Sequence, residues 1–153
     1  MPVIRLLLFA IFICIPFFFE SAMLHVVRAD DVAHSDDLNY AQVVFVKAVQ
    51  QERNIWRFEV TVRHNDEGWD HYADEWQVTN PNDSSIVAER VLAHPHVEEQ
   101  PFTRSLGNVG IPKKLTQVLI RAKCNIHDFG GREVLVDLNA TKGEHFKVIH
   151  LNH

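Results

Sequence analysis

The chain has 153 residues, 46% of them hydrophobic and 23% charged, with 15 basic against 20 acidic side chains and a formal charge of -5. That composition fits one globular domain and excludes a collagen-like, coiled-coil or disordered chain. No basic patch offsets the negative balance, so nucleic acid is not an expected partner. Ten histidines in a chain this short draw attention to metal or proton chemistry, because neutral imidazole is the commonest protein metal ligand.

Arg5 precedes an apolar run from Leu6 to Phe19, broken by Pro16 and closed by Glu20. This run is shorter than a membrane-spanning helix needs, and with its basic start it reads as a secretory signal. Val27-Arg28-Ala29 ahead of Asp30-Asp31 is the expected cleavage site, making residues 1–29 a signal peptide and residues 30–153 a single exported domain, secreted or periplasmic. An uncleaved N-terminal anchor is the alternative; after cleavage no membrane span is expected. Removal of 1–29 takes away His25, Cys14, Met1 and Met23 and leaves Cys124 as the lone cysteine. An unpaired cysteine in an oxidising compartment is buried, intermolecular, reactive or a metal ligand. The loss of methionine argues against thioether copper sites.

After a polar arm at 30–38, the pattern takes a period of two. Tyr40–Val49 is rich in Val and aromatics, and Ile55–His64 alternates strictly, with Trp56, Phe58, Val60 and Val62 on one face. Such alternation marks half-buried antiparallel strands. Glu75–Thr79 and Ile86–Ala93 are the next extended runs, separated by a turn cluster from Asn80 to Ser85. Pro95, Pro101, Gly107 and Gly110 punctuate what reads as a longer loop. Leu115–Cys124 alternates again, Arg132–Leu138 follows the Gly130-Gly131 turn, and His145–Leu151 is an edge strand or a tail. No 3.6-residue apolar period persists. The expected fold is therefore all-β: an immunoglobulin-like antiparallel β-sandwich of about seven strands with its core over about 38–140, a small barrel being the alternative.

Cys124-Asn125-Ile126-His127 places a thiolate and an imidazole three residues apart at a strand end. His64 closes the alternating strand on its core parity, and His71 lies in the aromatic loop Gly68-Trp69-Asp70-His71-Tyr72. If these strand ends share a pole of the sandwich, His64, His71, Cys124 and His127 converge on a metal site. Individually, a buried small cysteine and a hydrogen-bonded histidine remain the plainer readings. His94-Pro95-His96 is a second constellation, since residues i and i+2 of an extended chain project to one side, about 6 to 7 Å apart. It also reads as a solvated surface loop. Asp66, Glu67, Asp70, Asp74 and Glu75 form a carboxylate-rich loop without calcium-loop spacing and read as solvated. No nucleophile elbow, phosphate loop or dinucleotide fingerprint is present.

From Val118 through Cys124-Asn125-Ile126-His127 to Leu138, together with His64, Asp70-His71-Tyr72 and Trp76, the chain resembles the iron-binding β-sandwich of the superoxide reductases, the neelaredoxin and desulfoferrodoxin group. That resemblance implies His64, His71 and His127 as equatorial ligands and Cys124 as an axial thiolate on iron, with superoxide, a small oxidant, as substrate and an electron donor as partner. The family's Glu-Lys-His motif is missing; His34 stands upstream of His64 as an additional candidate, beside His94 and His96. Asp128-Phe129-Gly130-Gly131 also replaces the family's Gly-x-Trp. The chain further resembles small exported bacterial proteins that share the patterns at Trp69–Ala73 and His94–Leu106, a likeness that carries no function. Two other readings stand beside a superoxide reductase-like oxidoreductase. One is a non-catalytic module that binds a partner protein or a ligand through the Trp69, Tyr72, Trp76 loop and the loop from His94-Pro95-His96 to Phe102. The other is a copper or zinc carrier.

Overall fold

The structure, a computed structural model, describes residues 37–151. The signal segment, most of the polar arm and His34 lie outside the described residues. Nine strands form two packed sheets, and no helix occurs among the described residues. β1 (Gln42–Glu52) and β2 (Ile55–Arg63) form a hairpin. Asn54 takes a positive φ of 67° at the turn, a conformation that Asn tolerates better than most residues. β5 (Phe102–Gly110) pairs with β2, and β9 (Phe146–Ile149) pairs with β1, giving the sheet order β5-β2-β1-β9. The second sheet carries β3 (Ala73–Thr79), β4 (Ile86–Val91) and β6 (Gln117–Cys124) in the order β4-β3-β6. β7 (Asp128–Phe129) and β8 (Val134–Asp137) share the outer edge of β6.

The sandwich is as the alternating patterns require. Trp56, Phe58, Val60 and Val62 of β2 are buried, as are Trp76 and Val78 of β3 and Val118, Ile120 and Ala122 of β6. These faces bury apolar surface between the sheets, the dominant favourable term in folding. Three details differ from the sequence reading. There are nine strands rather than about seven, because β7 is a two-residue return after Cys124 and because residues 102–110 are a strand. Gly107, which read as loop punctuation, and its neighbour Asn108 are bulge residues: Phe58 faces Leu106 while Trp56 faces Val109. Asn108 sits at φ 58° and its N–H donates to Gln51 Oε1 at 2.9 Å. An extra residue of this kind bends a strand without ending it. Finally, β9 runs parallel to β1, so the sandwich is not wholly antiparallel.

This topology brings the end of β2, the start of β3 and the end of β6 to one pole. Cys124 faces Ala73 across β3 and Asp128 across β7. The segment 37–41 crosses the same pole, tied by the Asn65 N–H donating to Leu38 O at 3.0 Å.

Candidate metal centre

His64 follows the last residue of β2 and keeps its parity, so its ring turns inward and is 1% exposed. Its Nδ1 lies 2.7 Å from Asp66 Oδ1, and its Nε2 lies 3.2 Å from the carbonyl oxygen of Asn39. Asp66 is buried as well. Its Oδ1 also accepts the Ala73 N–H at 3.1 Å, and its Oδ2 accepts the His96 N–H at 2.6 Å. Burial pushes the Asp66 carboxyl up, but the bonds from His64, His96 and Ala73 outweigh it and hold it below the ordinary carboxylate value. An ionised carboxylate at Nδ1 keeps the proton on that nitrogen and turns the Nε2 lone pair inward, the outer arrangement typical of metal-ligating histidines.

His71 arrives on the loop between β2 and β3, which is closed by the Glu67 N–H donating to His71 O at 2.8 Å and turned at Gly68, φ 98°. Glu67 stands 3.7 Å from its Nδ1, so its Nε2 also faces inward. Cys124 is buried at the end of β6. Its Sγ lies 3.6 Å from His71 Nε2 and 3.6 Å from His127 Nδ1, and the His127 N–H donates to it at 3.2 Å. His127 Nδ1 lies 3.2 Å from His71 Nε2. The three imidazoles stand edge to face in sequence, with centroids 4.7 Å apart for His64 and His71 and 4.9 Å for His71 and His127. His71 is thus the middle ring.

His64, His71 and Cys124 offer one donor atom each, all within 4.8 Å of one another, a group that could hold a metal ion. His127 adds a fourth at its rim. Donors bound at about 2.0–2.3 Å and separated by tetrahedral or right angles lie roughly 2.8–3.8 Å apart. The 3.2 and 3.6 Å separations here fall in that range. Imidazole with thiolate suits zinc, copper or iron, and ligand type alone does not choose among them.

The other sequence candidates fall elsewhere. Trp76 and Phe102, expected on a binding surface, are core residues at 0% and 1% exposure. Each is turned between the sheets by the parity of its strand, so neither is part of a recognition loop. Trp69 and Tyr72 do lie on the loop, edge to face at 5.7 Å, with Trp69 67% exposed. His94 is exposed, whereas His96, read in one alternative as solvated, is 4% exposed and stacks on Phe102 at 3.8 Å. The His96 ring is not in the cluster; its N–H reaches it only through Asp66. Burial, followed by the charges of Arg104 and His94, holds the His96 pKa below the ordinary imidazole value. Within the carboxylate loop, Asp66 is buried rather than solvated, because three hydrogen-bonding groups converge on it, while Glu67 and Asp70 are exposed.

Sequence reasoning missed Asp66 as an orienting group. It also missed Asn125, whose Oδ1 accepts the Tyr72 N–H at 2.9 Å and whose Nδ2 donates to the carbonyls of Trp69 and Asp70 at 3.3 and 3.2 Å. Asn125 therefore fastens the His71 loop to the Cys124 turn. Its place inside the Cys-x-x-His motif was the available signal. A cavity of about 650 Å³, lined in part by Arg63, Gln100 and Arg132, adjoins His64 and Asp66.

No protein-family profile and no solved structure matches the chain. It is similar to a protein of Halomicrobium mukohataei described as "Putative lipoprotein", with 37% identity over 111 residues, which is 72% of this chain and 54% of that protein. The chain thus spans about half the length of the relative it matches.

Proposed function

We propose that this is an exported metalloprotein holding one transition-metal ion through His64, His71, His127 and Cys124, and that it works as a superoxide reductase-like redox protein. One observation carries the reading: His64, His71 and Cys124, drawn from the ends of β2 and β6 and the loop between β2 and β3, bring one donor atom each within 4.8 Å of one another, and His127 Nδ1 lies 3.2 Å from His71 Nε2 and 3.6 Å from Cys124 Sγ. The carboxylate of Asp66 behind His64 supports it, since it sets the tautomer that leaves Nε2 free to coordinate. The lipoprotein description of the relative, together with the apolar run at the N-terminus, supports export. No helix among the described residues is long and apolar enough to cross a membrane.

Bound iron would supply the electron that, with two protons, takes superoxide to hydrogen peroxide, and an external donor would restore it. The chain's own part is to hold the donors in place: Asp66 orients His64, Glu67 stands behind His71, and the β6–β7 turn presents Cys124 and His127 together. The test is elemental analysis of protein purified without added metal, beside the Cys124→Ala variant. Near-stoichiometric iron that is depleted in the variant, with loss of a thiolate-to-iron absorption band and of superoxide reduction, is the expected result. Stoichiometric copper or zinc without turnover would instead make the protein a carrier, and metal absent from both forms would overturn the reading.

A further inference from the structure

The backbone carbonyl of Asn39 sits against the metal cluster in a way that hydrogen bonding does not account for. Its oxygen lies 3.2 Å from His64 Nε2, 3.1 Å from His127 Nδ1 and 3.4 Å from Cys124 Sγ. The Cys124 thiol can donate to this oxygen, but with the His64 proton held on Nδ1 by Asp66, Nε2 has none to give, so two lone pairs face each other across 3.2 Å, an arrangement that a cation between them relieves. The contacts also follow an order. His71 neighbours both His64 and His127, and so does the Asn39 oxygen. The four groups close a ring, and Cys124 Sγ touches three of its members at 3.4–3.6 Å.

The carbonyl is aimed by a built turn. The Asn39 N–H donates to Asp37 Oδ1 at 2.9 Å and the Tyr40 N–H to Asp37 O at 3.1 Å. Gln42 Nε2 donates to Asp37 O at 2.8 Å and to Tyr40 O at 3.1 Å, and the Tyr40 ring rests 5.5 Å from that of His127. The backbone oxygens on either side are thereby engaged: Leu38 O takes the Asn65 N–H and Tyr40 O takes Gln42. Asn39 O alone of the three is turned to the cluster.

We propose that Asn39 O is a metal donor, completing a set of three imidazole nitrogens, one thiolate and one peptide oxygen around a divalent first-row ion. This rests on the metal-binding reading above and extends it to a donor that no side-chain motif reveals. Binding would then lock the segment 37–41 onto the pole of the sandwich.

The test uses Asn39-Tyr40, the one Asn-Tyr pair in the sequence. Protein labelled with carbonyl-¹³C asparagine and ¹⁵N tyrosine gives a single correlation for that peptide bond, which is followed as zinc is added. The expected result is a shift of the Asn39 carbonyl that saturates at one equivalent, in step with loss of Cys124 thiol reactivity. Asn39→Ala, which keeps the carbonyl, is expected to retain the affinity. Asp37→Ala, which loosens the turn at a half-buried position, is expected to weaken zinc binding about fivefold, the loss of one hydrogen bond. Stoichiometric zinc that protects Cys124 but leaves the carbonyl signal unmoved overturns this proposal and spares the metal reading. An Asp37→Ala affinity equal to wild type also overturns it, and failure of zinc to bind overturns both.

Discussion

At the scale of single residues, Asp66 is the hinge between two histidines with different tasks. It fixes the tautomer of His64 through Oδ1 and accepts the His96 N–H through Oδ2. Asp66→Asn keeps the volume but removes the charge that orders both contacts. Zinc or cobalt titration of that variant is expected to show an affinity about 10- to 100-fold lower, the usual consequence of losing an outer-sphere partner. A variant with unchanged affinity would remove Asp66 from the site. His96 carries a different prediction. Both of its ring nitrogens are buried without a hydrogen-bond partner, and its pKa is lowered by burial and by the charges of Arg104 and His94, against which Asp66 and Glu99 pull upward. A histidine depressed in the folded state contributes its full stability above the unfolded value of about 6.5 and loses it as pH falls through the folded value. Melting temperature is therefore expected to fall below about pH 6.5, and the slope to flatten in His96→Phe, which retains an aromatic stack on Phe102. An unchanged slope in that variant would assign the acid sensitivity to another group.

At the scale of elements, the turn after β6 does the assembling. Cys124 ends the strand, Asp128 takes a positive φ of 58°, and β7 returns along the same edge, so that the thiol and His127 arrive on one side. Arg121 lies over the Phe129 ring at 4.1 Å and holds this short return down. Beyond it, Gly131 passes so close to the residue ahead of β1 that a Cβ there would stand 2.1 Å from the Ala41 carbonyl oxygen. Backbone atoms cannot yield as a flexible side chain can. Gly131→Ala is expected to cost roughly 1–3 kcal/mol of stability, as overpacking does, and to loosen segment 37–41 as well as β1. Denaturant unfolding combined with zinc titration would check both effects, and a variant of wild-type stability would show that the approach relaxes.

At the scale of the whole molecule, the proposed ligands come from opposite sheets: His64 from the end of β2 and Cys124 from the end of β6. An ion between them cross-links the two layers at one pole. Because binding to the folded state alone adds RT ln(1 + [L]/Kd), zinc at about 100 times its Kd is expected to stabilise the protein by about 2.7 kcal/mol. Differential scanning calorimetry with and without a chelator measures this, and the gain should vanish in Cys124→Ala. A melting temperature indifferent to zinc would mean that the donors do not share an ion.

The fold class was legible because period-two alternation at Ile55–His64 and Leu115–Cys124 records which side chains leave water, a demand each strand meets locally. The same parity placed His64 and Cys124 among inward positions, and the Cys-x-x-His spacing singled out His127. What the pattern could not carry is anything that depends on distant segments meeting. β5 was hidden because Gly107 and Asn108 look the same in a bulge as in a loop until β2 lies beside them. Asp66 looked like its solvated neighbours because its burial comes from Ala73 and His96, the latter 30 residues away. Trp76 and Phe102 looked like recognition residues because an aromatic's exposure is decided by the opposing sheet. The Asn39 carbonyl has no sequence signature at all, since every residue has one. Sequence alone determined an alternating, sheet-forming chain with a small set of soft donors at its strand ends; only the packing of two sheets decided which of those donors face each other, because convergence is set by long-range register and not by local pattern.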